Sequence, residues 1–368
     1  MLSGGRLLDQ GVYGCIFTPP LICKAGTEVR LDGKDEGEAR EEKKGEALTK
    51  LLGVEDAEQE FQIAKRIHRI PFHRQYFAVS DAMCEPAVSQ PTERELGQCG
   101  MRERLKKEQK EQKEQKEQRG EESLRLLRMR YAGKALHLVS LSVPAFDLRA
   151  FAIHLVAAGA LMNLFGVVHR DLHQGNVLVD TYQVPRIIDF NLSIPIRSGH
   201  TVSSDELSHS YDVTLSQEPP DAVLVNAVAN GKHPMTAIQE ICYKKPVLKK
   251  ITSLLGISTR EMYKQLTSFY YKSKSARLGD LELWFSLYYR VLDSWAIGVI
   301  LVDLIHRMSL WPQIQSQIKG ILPVLRRMCA VHPMERVDCV QALQMLDPGH
   351  LILRRYGTKW LEIVGKAK

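Results

Sequence analysis

The sequence predicts an α+β chain in two lobes, a small β-rich lobe first and a large helical lobe after it. Two observations predict this. Strand-like segments cluster before about residue 131, and from Phe146 onward long helical patterns dominate. A length of 368 residues also fits two domains, or one two-lobed unit, at about 150 residues per domain. With 44% hydrophobic residues a sizeable core can be buried, and 25% charged residues is ordinary for a globular protein.

Taken in order, residues 12–17 alternate small and apolar side chains after a glycine turn, and Pro19-Pro20 ends that strand. Residues 26–45 are charged and glycine-bearing and read as a loop insertion. Residues 47–52 form a short apolar strand. Residues 56–70 place Ala57, Phe61, Ala64, Ile67 and Ile70 at helical spacing. Residues 76–79 suit another strand. Residues 102–122 repeat Lys-Glu-Gln and read as a solvated insertion, bounded at about 100–122; no apolar seam runs through it to make a coiled coil. The ordered chain resumes at 124–131. The most apolar stretch, 151–168, carries His154 and Asn163 and runs into a polar motif, so a buried helix is expected there rather than a membrane span. Residues 222–290 read as a helical insertion. The expected domain is 1–348, with lobes 1–131 and 132–348 and a tail at 349–368.

The net charge of +7 and isoelectric point near 8.9 weakly favour acidic partners such as phosphates. Much of the lysine excess lies in the repeat, so no nucleic-acid surface is read from it. The seven cysteines are odd in number and scattered, without a Cys-x-x-Cys pair. A disulfide framework or zinc knuckle is therefore not expected, and a reducing intracellular compartment is. Residues 1–10 lack the apolar core of a signal peptide.

The densest motif is Val168-His169-Arg170-Asp171-Leu172-His173-Gln174-Gly175-Asn176-Val177-Leu178-Val179, followed thirteen residues after Asn176 by Asp189-Phe190. His169, Asp171 and His173 alone would admit a transition-metal cluster. Asn176 and Asp189 in register point instead to oxygen ligands for magnesium. Upstream, Gln10-Gly11-Val12-Tyr13-Gly14-Cys15-Ile16 has glycines that let backbone amides approach phosphate. Lys50 leads into the helix carrying Glu60, which is preferred over Glu58 because Ala57, Phe61 and Ala64 form the adjoining packed face. Lys24 remains an alternative to Lys50. Residues 129–136, Met129 to Leu136, suit a connection between lobes.

Together these segments resemble the protein kinase family over residues 7–346. The pattern Gly11-x-Tyr13-Gly14-Cys15-Ile16-Phe17-x-Pro19-Pro20-Leu21-x-Cys23 is similar to serine/threonine kinases of large nucleocytoplasmic DNA viruses. The resemblance implies a bilobal kinase-like fold, Mg-ATP as phosphate donor, a protein hydroxyl as acceptor, a monomer, and no nucleic-acid or membrane partner. A viral origin would place it in the host cell or virion. It implies Asp171 as the carboxylate that orients the acceptor hydroxyl, Asn176 and Asp189 as magnesium ligands, and Lys50 paired with Glu60 on the α- and β-phosphates. Gly11, Gly14 and Ile16 would cover the nucleotide, and Met129 and Tyr131 would border adenine. Asp221, in Pro219-Pro220-Asp221, would pair with Arg336, and Asp293 would hold the backbone of the catalytic loop. Arg170 would receive an activation-segment phosphate, with Ser198, Thr201, Ser203 and Ser204 as candidate acceptors.

Three positions depart from the family pattern. His173 stands where serine/threonine kinases place lysine against the γ-phosphate, a role a protonated histidine can fill. Asn191 replaces the glycine after Asp-Phe, and asparagine tolerates positive φ. Asp9 replaces the first glycine of the loop. An inactive kinase-like scaffold and a small-molecule phosphotransferase are the alternatives left open.

Overall fold

The computed structural model describes residues 5–10, 14–31, 47–87, 99, 124–141, 146–196 and 202–366. By internal packing the chain divides into two units, Met1–Gly133 with Ile188–Asn191, and Lys134–Ile187 with Leu192–Lys368. The architecture is mixed, with strands concentrated early and helices late, consistent with the α+β expectation.

The first unit is built on an antiparallel sheet. Its strands are β1 (Arg6–Gln10), β2 (Cys15–Thr18), β3 (Val29–Arg30), β4 (Ala47–Gly53), β5 (Ala82–Cys84) and β6 (Leu124–Arg130), in spatial order β1-β2-β4-β6-β5-β3. Apolar β4 takes a central place, and the alternation of its side chains splits the core in two. On one face Leu51 joins Cys15, Phe17, Leu21 and Leu126. On the other, Leu52 packs with Leu127 of β6 and with Ala57 and Phe61 of the next helix. That helix, α1 (Val54–His68), starts with Glu55 and Asp56 and ends with Lys65, Arg66 and His68, charges that suit its dipole. Its buried stripe is Ala57, Glu60, Phe61, Ala64 and Ile67.

Three sequence expectations in this unit are corrected. Residues 76–79 do not form a strand. Phe72, at φ 60°, turns the chain into a short helix, α2 (His73–Tyr76), and the strand comes later as β5. Within the expected 26–45 insertion, Val29–Arg30 forms β3 on the outer edge of β5; residues 32–45 lie outside the described residues, as does the 102–122 repeat. The third correction concerns cysteine. Cys15 is bonded to Cys99 and Cys23 to Cys84, across 84 and 61 residues of chain, with Cα separations of 6.0 and 5.7 Å. Scattered spacing carried no sign of this, because tertiary packing, rather than a local motif, brings the partners together. The spacing argument for a reducing compartment falls with it. Cys242, Cys329 and Cys339 are free and buried.

The second unit holds β7 (Lys134–Ala135), β8 (Val167–Val168), β9 (Val177–Val179), β10 (Pro185–Ile187) and β11 (Ile194–Pro195), arranged as a β10-β9-β7 sheet and a β11-β8 pair. The remainder is helical. α3 (Leu148–Phe165) is capped by the Asp147 side chain on the Ala150 amide and is closed by Gly166 at φ 67°. It is long and apolar enough to cross a membrane, but 67% of it is buried inside the protein, as the sequence suggested. Gly159 allows it to approach its neighbours: a Cβ there would lie 2.6 Å from Cys339 Sγ and from Ile297 Cδ1.

After α4 (Ser204–Leu207), six helices occupy the expected insertion: α5 (Pro220–Ala229), α6 (Pro234–Lys244), α7 (Pro246–Leu255), α8 (Thr259–Lys272), α9 (Lys274–Leu278) and α10 (Leu281–Tyr288). Proline opens α5, α6 and α7 at the position where a missing N–H costs nothing. α11 (Leu292–Met308), buried along most of its length, packs on α3, α7 and α12 (Pro312–Met328). α13 (Cys339–Leu346) carries an Asp338–Gln341 capping box. Beyond the expected boundary at 348 the chain forms a π turn, Leu353–Gly357, and α14 (Thr358–Lys366), where Trp360 donates to Asp338 Oδ2 at 3.0 Å.

Candidate active-site residues in the two units

In the first unit, strand alternation sets the site. Lys50 and Leu52 share the face of β4 that meets α1, so the Lys50 side chain lies against the buried stripe that includes Glu60. Lys50 Nζ donates to Glu60 Oε2 at 2.8 Å, to Asp189 Oδ1 at 2.8 Å and to Asn191 Oδ1 at 3.3 Å. Lys50 and Glu60 are each only 7% exposed. Burial works against the lysine charge, but Glu60 and Asp189 outweigh it and hold the ammonium above its ordinary value. Glu60 is held above the usual carboxylate range, first by burial, with Lys50 opposing and the Asp189 charge adding to the rise. Two carboxylates around one ammonium leave an excess of negative charge, an environment that favours a further cation.

The segment bearing Asp189 is anchored within the same unit. Phe190 is buried and meets Phe77 edge-on at 6.0 Å, and Gln59 Nε2 donates to the Asn191 carbonyl at 3.2 Å. The expected positive φ at Asn191 is not observed. Asp189 itself takes the left-handed conformation, at φ 64°, and Asn191 instead offers its side-chain oxygen to Lys50. Aspartate tolerates this region nearly as well as asparagine, so the turn shifts by two residues.

Lys24 takes a different position, pairing with Glu85 at 3.0 Å on the surface with its side chain 60% exposed. Ile16 sits on β2 opposite Lys50 in register. Gly14 is required by packing: a Cβ there would lie 2.6 Å from the Leu51 carbonyl oxygen. Gly11 lies outside the described residues. Met129, on β6, packs against the cluster of Leu52, Ala57, Phe61 and Leu127, and Tyr131 just beyond is exposed.

In the second unit the loop between β8 and β9 is held from beneath. Buried Asp293, at the start of α11, accepts from the amides of His169 at 2.8 Å and Arg170 at 3.0 Å, as the resemblance implied. Burial raises the Asp293 carboxyl, and those two amides and the neighbouring His169 and Arg170 side chains oppose the rise. Arg170 adopts φ 71°, a strained backbone over-determined by these bonds. Asn176 Nδ2 reaches the Asp171 carbonyl at 2.9 Å and its Oδ2 at 3.4 Å. His173 Nε2 stands 3.8 Å from Asp171 Oδ2, while its Nδ1 accepts from the Gly175 amide at 3.0 Å. Among the described residues no group of three or more His, Cys, Asp or Glu side chains is placed to hold a metal ion, so the transition-metal alternative finds no site.

Asp221 and Arg336 meet as the resemblance implied, with Nη2 to Oδ1 at 2.5 Å and both side chains fully buried. Trp284 donates to the other Asp221 oxygen at 3.0 Å, and the Arg336 guanidinium lies over the Trp295 ring at 5.3 Å.

Sequence reasoning missed two groups. Gln217 donates from Nε2 to Asp171 Oδ1 at 3.0 Å. Lys245, at the junction of α6 and α7, is 1% exposed and donates to the Leu215 carbonyl at 2.5 Å. Neither belongs to a motif; a lysine followed by Pro246 gives no sign of burial.

Compared with known proteins, the chain matches no protein-family model, and no curated protein matches it significantly.

Proposed function

We propose that this chain is a protein serine/threonine kinase that transfers the γ-phosphate of ATP to a protein hydroxyl. The first unit is read as the β-rich lobe of a kinase-like fold and the second as its helical lobe. The observation that carries the proposal is the buried Lys50–Glu60–Asp189 group. Three residues separated by up to 139 positions meet in one ion cluster, and the kinase resemblance implies all three. A surface pair such as Lys24–Glu85 forms at little cost. A lysine buried between two carboxylates is expensive unless it has a task.

The residues have the chemistry the reaction needs. Phosphoryl transfer asks protein groups to position oxygens and offset charge. Lys50, held by Glu60, presents a fixed cation for phosphate oxygens. Asp171, its carboxylate steadied by Asn176 and Gln217, would orient the acceptor hydroxyl and take its proton. His173, half-exposed beside Asp171, would take the place of the family's lysine toward the γ-phosphate. For magnesium the resemblance implies Asp189 of the first unit and Asn176 of the second, each a hard oxygen ligand by its own chemistry, and the Lys50 cluster of the first unit carries excess negative charge. When bound, the metal would neutralise the phosphate tail.

The test is a radiolabelled ATP assay with magnesium and generic protein acceptors. Asp171→Asn should cut transfer by about 10²–10⁴-fold while leaving the folded state intact. Lys50→Met should abolish it and Lys24→Met should not. Wild-type rates from Asp171→Asn, or loss only in Lys24→Met, would overturn these assignments.

A further inference from the structure

Residues of α5, α6 and α10, with Lys232 and Lys245 at the ends of α6, contact the segment between Ser203 and Glu218 along its length. From α10, Glu282 Oε1 accepts from the Ser204 amide at 2.8 Å and from its hydroxyl at 3.0 Å. From α5, Asn226 Nδ2 donates to the His209 carbonyl at 3.0 Å. From α6, Glu240 accepts from the Tyr211 hydroxyl at 3.2 Å, and Lys232, just before that helix, lies 4.2 Å over the Tyr211 ring. Lys245 holds the Leu215 carbonyl.

The end of the segment is fixed twice more. Trp295 Nε1 donates to the Ser216 carbonyl at 3.0 Å, and His209 Nε2 meets Glu218 Oε1 at 2.7 Å. Gln217 sits between these anchors, and its amide reaches Asp171.

The place a phosphate would take is also filled. Arg170 Nη1 donates to the Glu206 carbonyl at 2.9 Å and Nη2 to that of Leu207 at 3.4 Å. Ser203 Oγ caps α4 by accepting from the Glu206 amide. A phosphate on Ser204 would face the Glu282 carboxylate and be repelled.

We propose that the insertion is an intramolecular clamp that fixes segment 203–218 without a phosphate, and that Gln217 is thereby held as a positioning residue for the Asp171 carboxylate. This rests on the kinase reading for its catalytic part only. The clamp itself is a statement about the segment's order. It gives α5, α6 and α10 a task beside the reaction loop: charge-assisted and amide hydrogen bonds replace what a covalent modification would supply.

The experiment pairs hydrogen exchange with kinetics on the full chain. Phosphatase-treated wild-type protein, confirmed by mass spectrometry to lack phosphate between residues 198 and 218, should keep its kcat. Lys245→Met should speed exchange across residues 203–218 by about tenfold, the loss of roughly one charged hydrogen bond. Should that variant fail to fold, Glu282→Ala, at an exposed position, should speed exchange over 203–208. Gln217→Ala should lower kcat by about tenfold with the KM for ATP and the segment's exchange both unchanged, a split that a merely structural role would not produce. The proposal is overturned if removing a phosphate from this segment abolishes activity, if neither clamp variant alters exchange, or if Gln217→Ala retains full kcat. Absence of transfer by wild-type protein would instead refute the kinase reading and, with it, Gln217's role; exchange in Lys245→Met and Glu282→Ala would still decide the clamp.

Discussion

Two buried lysines, Lys50 and Lys245, are among the charged groups this protein commits to its interior. Lys50 lies between two carboxylates. Lys245 has its principal contact with a backbone carbonyl, and the charges of Glu218 and Asp212 only partly compensate its burial, which brings its pKa down from 10.5 to about 8. The sign of the linkage follows. Between those two values the unfolded chain binds a proton that the folded chain has lost, so stability rises with pH. Below about 8 both states are protonated and the full cost of burying the charge is present, on the order of 3 kcal/mol. Denaturant titrations from pH 8 to 10.5 should therefore show the wild type gaining stability relative to Lys245→Met. A difference that stays flat across that window would mean the lysine is not held charged in a dry site. The residue also shows where sequence reading stops: Lys245 and Pro246 look like any helix junction, and only the packing of α6 and α7 under Leu215 removes the lysine from water.

Among the elements, the start of α5 is secured by the Asp221–Arg336 pair, whose partners are 115 residues apart and fully buried. Such a pair is poor at adding net stability but costly to break, because the survivor is left charged in a dry site. Arg336→Met should cost about 3–5 kcal/mol by urea unfolding, and Asp221→Leu in the same chain should recover part of that loss. A single-variant cost under about 1 kcal/mol would show that Trp284 alone satisfies the aspartate. At this scale the sequence was informative where a period was strong. The apolar run of β4, the stripe of α1 and the long apolar α3 were all legible. Residues 76–79 were not, since four mixed residues carry no decisive period and Phe72 redirects the chain before them.

For the whole molecule, the cysteines separate two groups. Four are paired in the first unit and three are free in the second. Unfolded but unreduced protein should therefore titrate with three thiols; seven would contradict the pairing. Closing loops of 84 and 61 residues stabilises by about 4–5 kcal/mol each in the chain-entropy picture, so reduction should lower the unfolding midpoint of the sheet-bearing unit. The odd count and scattered spacing had suggested no framework at all. Each disulfide ties a strand residue, Cys15 of β2 or Cys84 of β5, to a cysteine outside the strands, so its spacing is set by tertiary packing and leaves no periodic trace.

The sequence by itself determined the early-strand, late-helix order and the chemical inventory: Asp171 and Asn176 at a fixed local spacing, Asp189 beyond them, and a lysine ahead of an acidic helix. These are short-range properties, carried by side-chain period and by motifs spanning a dozen residues. Only the tertiary structure decided that Lys50 rather than Lys24 meets Glu60 and Asp189, that Asp189 rather than Asn191 takes the left-handed turn, which cysteines pair, and that Gln217 rests on Asp171. Each of those depends on contacts between residues distant in the chain, or on the packing around them, and burial with partner geometry selects among alternatives that local pattern leaves equal.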